Sequence, residues 1–181
     1  MKAQTRMIAA VAAVAAGLTG CVSKPAVPLP TVEAVDLNRY MGAWYEIALL
    51  PNRFQAVCVG DTQAHYRIDG DVVRVTNRCR GADGGIEEAN GVAKVVERSG
   101  NAKLRVSFFR PFYGNYWILA IDPDYRWVLV GEPGREYGWV LSRTPALNEA
   151  TLAAVLQKAA ALGYDPAAFR RTPQMRPLDA Q

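Results

Sequence analysis

A chain of 181 residues can fold one domain around a sizeable core, and half of its residues are hydrophobic, which excludes a disordered protein. The formal charge is only +4, with two of the cations, Lys2 and Arg6, near the N-terminus and the others spread along the chain. That balance excludes a nucleic-acid partner held by a basic patch.

Residues 1–20 read as an export signal. Lys2 and Arg6 form a basic end, and Met7 to Leu18 an apolar run too short to span a bilayer as a helix. Leu18-Thr19-Gly20-Cys21 resembles the processing site of bacterial lipoproteins. The resemblance implies cleavage before Cys21, a diacylglycerol on its sulfur and an acyl chain on its amine, together a firmer anchor than one chain. An ordinary secretory signal with an incidental Cys is the alternative. Val22 stands where an Asp would mark inner-membrane retention in enteric bacteria, so the resemblance implies the outer membrane, with the folded part in the periplasm. Residues 21–35, with Pro25, Pro28 and Pro30, read as an extended linker behind the lipidated Cys.

The folded part begins at about residue 36. Gly42-Ala43-Trp44-Tyr45-Glu46-Ile47-Ala48 alternates with a period of two and reads as the first strand, with Trp44 placed to plug one end of a rolled-up sheet. Asp61 to Ile68 and Val72 to Arg78 flank Asp69-Gly70-Asp71, a hairpin turn in which Ile68 is expected to pair with Asp71. Ala64, Tyr66, Val73, Val75 and Asn77 share its interior face, whereas Gln63, His65, Arg67, Arg74, Thr76 and Arg78 share the wet one. His65, the only histidine, is thereby a surface residue. With Cys21 lipidated, Cys58 and Cys79 remain as a pair on one face of this hairpin, a two-residue offset being absorbed by a bulge near Gly60. An oxidising compartment makes them a disulfide, and with no C-x-x-C and one His no metal site is expected.

Further strands are expected at 86–97, 102–109, 116–121, 125–130 and 137–143, with Arg110 to Asn115 an aromatic loop. The period then changes. Between Asn148 as N-cap and Gly163 as stop, Leu152, Val155, Leu156, Ala159 and Leu162 fall on one helical face. The fold class is therefore all-β: an eight-stranded antiparallel up-and-down barrel with one C-terminal helix packed outside, over 36–170. Residues 171–181, with Pro173 and Pro177, read as a loose tail.

Three separated stretches now carry a family resemblance: Gly42-x-Trp44 with Tyr45-Glu46-Ile47-Ala48, Asp122-Pro123-Asp124-Tyr125, and Trp139-Val140-Leu141-Ser142-Arg143-Thr144-Pro145. The chain resembles the lipocalins, and among them the bacterial outer-membrane lipoproteins of the apolipoprotein D-like branch. The resemblance implies that Arg143 packs across Trp44 at a closed end near Gly42. It implies that Tyr66, Asn77 and Trp139 line a pocket whose mouth carries Phe112 and Tyr113. Glu46 shares a face with Trp44, and a carboxylate there must meet an Arg, a Tyr or a polar ligand head. The implied function is binding of fatty acids or lysophospholipids for lipid transport, storage or membrane maintenance. The alternatives are a carrier of another apolar ligand such as a carotenoid or haem, a lipocalin-fold enzyme, or a structural lipoprotein with a filled barrel. One outward His and two joined thiols argue against catalysis. No catalytic residue and no cofactor is expected, and a homodimer is left open.

Overall fold

Antiparallel strands with one apolar face and short turns can bury that face by rolling up. In the computed structural model, which describes residues 28–178, they do. The leader and the candidate lipidation site Cys21 lie outside the described residues. A single helical turn, α1 (Leu37–Tyr40), is capped by the Asp36 carboxylate, which accepts the backbone N–H groups of Asn38 and Arg39. Eight strands follow: β1 (Gly42–Leu49), β2 (Cys58–Asp69), β3 (Val72–Gly81), β4 (Ile86–Val95), β5 (Lys103–Phe109), β6 (Phe112–Ile121), β7 (Trp127–Gly131) and β8 (Gly138–Ser142). Each pairs with the next, and β1 pairs with both β8 and β2, so the sheet closes. Helix α2 (Glu149–Ala161) starts where Asn148 Oδ1 accepts from Thr151 N–H, as the capping pattern predicts, and Gly163 follows it with φ 87°. A short ninth strand, β9 (Arg170–Arg171), lies beside β1.

The barrel has two cores. Trp44, Tyr66, Val75, Ile118 and Leu141 pack inside it. Outside, Leu152, Val155 and Ala159 of α2 cover Ile47, Leu129 and Val140 on the sheet's other face.

The structure departs from strict alternation in ways that bear on the site. The β2–β3 hairpin pairs Asp69 with Val72 across a tight Gly70-Asp71 turn, not Ile68 with Asp71. Gly70, at φ 58°, supplies the left-handed residue that so short a turn needs. Register shifts lie on both sides of Gly60, and Cys58 and Cys79 form a disulfide with Cα atoms 5.6 Å apart. In β1 a bulge between Glu46 and Ala48 puts Ala48 in the outer core beside Ile47. Arg110 to Asn115 is not an open loop: Phe109 pairs with Phe112 across Arg110-Pro111, so Phe112 and Tyr113 open β6.

Both ends of the domain are tied to the barrel, the one expected as an extended linker and the other as a loose tail. Leu29 and Val35 are buried, and Val32 N–H donates to Ile118 O, so the described end of the linker packs on the barrel. The tail fills the seam where the upper parts of β1 and β2 diverge. Thr172 N–H donates to Ile47 O, Pro173 O accepts from Asp61 N–H at 2.7 Å, and Gln174 Nε2 bridges Glu46 O and Thr62 O. Gln63, expected on the wet face, is buried beneath this segment and donates to Leu178 O.

Candidate functional site

Up-and-down topology gives the barrel a closed end, bearing α1 and the β2–β3 and β6–β7 turns, and a mouth formed by the turns at the other end. The closed end is built on Trp44. Its ring is fully buried, its Nε1–H donates to Tyr40 O at 2.8 Å, and the Arg143 guanidinium lies 3.9 Å from the ring centroid. Arg143 also donates to Ala43 O and Arg39 O, so one cation joins α1, β1 and the end of β8. Gly42 has φ 90°, a conformation that glycine adopts without strain.

Above this floor three phenols form a chain. The hydroxyl groups of Tyr40 and Tyr66 both bond to that of Tyr116, at 2.7 and 2.9 Å. Burial pushes Tyr66 up to about 12, and pushes Tyr40 and Tyr116 well above the ordinary phenol value. The lower lumen is thus aromatic, hydrogen-bonded and uncharged.

The mouth half has a different chemistry. Glu46 is 4 % exposed and, among the described residues, its carboxylate bonds to no Arg or Tyr, although its charge acts on Tyr66. It accepts from Gln55 Nε2 at 2.7 Å and from the Thr172 hydroxyl. Gln55 sits on a 3-10 turn (Arg53–Gln55) capped by Asn52, and its Oε1 accepts from Trp139 Nε1 at 2.8 Å and from Asn52 Nδ2. One neutral amide therefore clasps Glu46 and Trp139 together. Asn77, further round the wall between Ala64 and Ala89, has a buried Oδ1 with no partner among the described residues. A methyl placed on Gly114 of β6 would meet nothing within 4 Å, so the wall faces open space there. Phe112, 71 % exposed and stacked on Phe109, stands at the rim. Alternation along β6 puts Tyr113 on the opposite face from Phe112, Gly114 and Tyr116, so its ring belongs to the outer surface.

Of the residues expected at the pocket, Glu46 and Trp139 come together through Gln55, Asn77 faces the same space, Tyr66 lies deeper among the phenols, and Tyr113 is apart. Sequence reasoning missed Gln55 and Thr172, which come from a loop and from the tail, and it missed Tyr40. Tyr116 could have been found, since it shares alternation with Ile118.

Burial raises the Glu46 carboxyl above its ordinary value, and the hydrogen bonds from Thr172 and Gln55 offset only part of this. A group with a raised folded value binds more protons in the native state than in the unfolded chain. Its ionisation therefore costs stability as pH rises through the folded value. Glu46→Gln, in which the Thr172 hydroxyl can reverse to accept, is expected to raise the urea midpoint at neutral pH, with the difference from the parent closing as pH falls towards 4. A constant difference across that range would contradict the assignment.

A closed antiparallel calyx with a cation–aromatic floor, an outer helix and a polar cluster at an open mouth is the architecture of a lipocalin barrel. Residues 35–174 match the lipocalin-like domain, and the chain belongs to the lipocalin family. It is 40 % identical to temperature-induced lipocalin-1 of Arabidopsis thaliana over 81 % of this chain and 83 % of that one. It is 37 % identical to the outer membrane lipoprotein Blc of Escherichia coli over 87 % of this chain and 91 % of that one. It is also 34 % identical to apolipoprotein D of Macaca fascicularis, over 68 % of each. Among solved structures, insecticyanin from the tobacco hornworm Manduca sexta shares the fold at a TM-score of 0.63 and 21 % identity, over 81 % of this chain and 87 % of that one.

Proposed function

We propose that the protein is a membrane-anchored lipid-binding lipocalin that holds the acyl chain of a fatty acid or lysophospholipid in the mouth half of its barrel. Acylated Cys21 would tie it to the outer membrane with the barrel in the periplasm, a reading supported by its likeness to outer membrane lipoproteins of several bacteria. The observation that carries the binding role is the contrast within the lumen. The closed half is packed, while the mouth half offers open space at Gly114, an apolar wall at Trp139 and the unpaired Asn77 Oδ1. Asn77 Oδ1 wants a donor and, among the described residues, no cation pairs with Glu46, so a headgroup with O–H or N–H groups suits the site better than a second carboxylate. Binding is preferred over catalysis because Cys58 and Cys79 are joined and His65, paired with Thr76, stands on the outer face.

The test is displacement of a fluorescent fatty acid by unlabelled oleate and by lysophosphatidylethanolamine, in the parent and in Trp139→Ala. The variant removes the apolar wall and frees Gln55, so affinity should fall about tenfold, worth about 1.4 kcal/mol. Equal affinities, or purified protein that neither carries nor takes up lipid, would refute the pocket.

A further inference from the structure

We propose a second ligand site, for a phosphate-type oxyanion, on the outer face of β2–β5 and separate from the lumen. A groove of about 450 Å³ lies there, with His65, Arg67, Arg74, Asn90, Ser107 and Arg110 among its lining residues. Its charges do not balance. Arg67 and Arg74 are direct cross-strand partners, and like charges so placed repel. The one carboxylate among the described residues that line it, Asp69, is taken up by Arg74 Nε at 2.7 Å. The side chains of Arg67, Arg110 and His65 make no hydrogen bond among the described residues, although the Arg67 charge helps to hold the Asp69 carboxyl low. Three arginines, from β2, from β3 and from the β5–β6 turn, thus line a groove whose lining includes one carboxylate.

The surroundings suit an anion with several acceptor oxygens. Guanidinium groups present forked donors that match phosphate geometry. Ser107, beside them on β5, is 3 % exposed and its hydroxyl is without a partner among the described residues. Asn90 is held on both sides, its Oδ1 accepting from the Thr76 hydroxyl at 2.8 Å and its Nδ2 donating to Glu88 Oε1 at 2.8 Å, so it shapes the groove and leaves the anion to the arginines and Ser107. Nothing in the groove would hold a cation, since Asp69 is already paired. The phosphate can come from a phospholipid headgroup or from a free phosphate, and both satisfy the same donors.

The experiment titrates the full-length protein calorimetrically with inorganic phosphate and, separately, with dihexanoylphosphatidylglycerol below its micelle concentration. Saturable binding of at least one probe is expected, weakening with added salt. Arg67→Gln combined with Arg110→Gln changes two exposed side chains, so the variant should keep the parent's circular dichroism spectrum and weaken binding about tenfold or more. Trp139→Ala should leave the phosphate titration unchanged, which separates this site from the lumen. Tighter binding of the short lipid in the parent, lost in the double variant, identifies a headgroup as the source. Tighter binding of inorganic phosphate identifies the free anion. No binding of either probe, or binding untouched by the double substitution, overturns the proposal.

Discussion

Trp44→Ala is expected to lower the stability of the folded chain by about 3–5 kcal/mol, the range for truncating a buried large aromatic ring. The indole has no exposed surface, and three separate contacts depend on it. Its N–H satisfies Tyr40 O, its ring packs against Tyr40 at 5.1 Å between centroids, and its other side carries Arg143. Truncation leaves a cavity at the closed end, an unpaired backbone carbonyl and a half-buried guanidinium without its aromatic partner. For a chain of this length the melting temperature should fall by about 6–20 °C. Trp44→Phe keeps an aromatic face under Arg143 and loses the N–H donor, so it should cost less, about 1–3 kcal/mol. Urea denaturation followed by far-ultraviolet circular dichroism measures both. A loss below about 1 kcal/mol for the alanine variant would show that the floor does not depend on the ring.

The difference between what alternation reveals and what it conceals is clear in β1. A period of two identifies the face on which Trp44 and Glu46 lie, because a strand must alternate. It does not reveal the bulge after Glu46, which appears only in the pairing of β1 with β8, next to the point where β9 joins its other edge. The partners of Glu46 were equally hidden: Gln55 is nine residues away on a loop and Thr172 is 126 residues away. The wet face of β2 was read correctly at Arg67 and wrongly at Gln63, since alternation names a face and not what later docks upon it. Two prolines made the tail read as loose, because proline gives a strand no donor. In the seam Pro173 needs none, for it serves as an acceptor.

The keystone of that seam is Asp61, and Asp61→Ala should cost about 3–5 kcal/mol, the range for removing one partner of a buried ion pair. Asp61 is 1 % exposed. It accepts Arg80 Nε at 2.7 Å and the backbone N–H groups of Met175 and Arg176 at 2.7 and 2.9 Å. The substitution would strand the Arg80 charge and release the tail, so amide exchange should quicken at Met175 and Arg176 before the barrel opens. Its φ of 51° lies where Asp and Asn are tolerated, and Asp61→Asn therefore isolates the charge from the backbone. Burial works to raise the Asp61 carboxyl, but Arg80 and the two backbone donors outweigh it and hold the group below its ordinary value. The unfolded chain, with a carboxyl near about 3.9, then binds more protons than the folded one between that pH and the lower folded value. The stabilisation is complete above about pH 4 and lost as pH falls through the folded value, so the gap between parent and Asp61→Asn should close in that acid window. A gap that stays constant down to about pH 2 would mean that Arg80 does not need the charge, and that the tail is held by its backbone contacts alone.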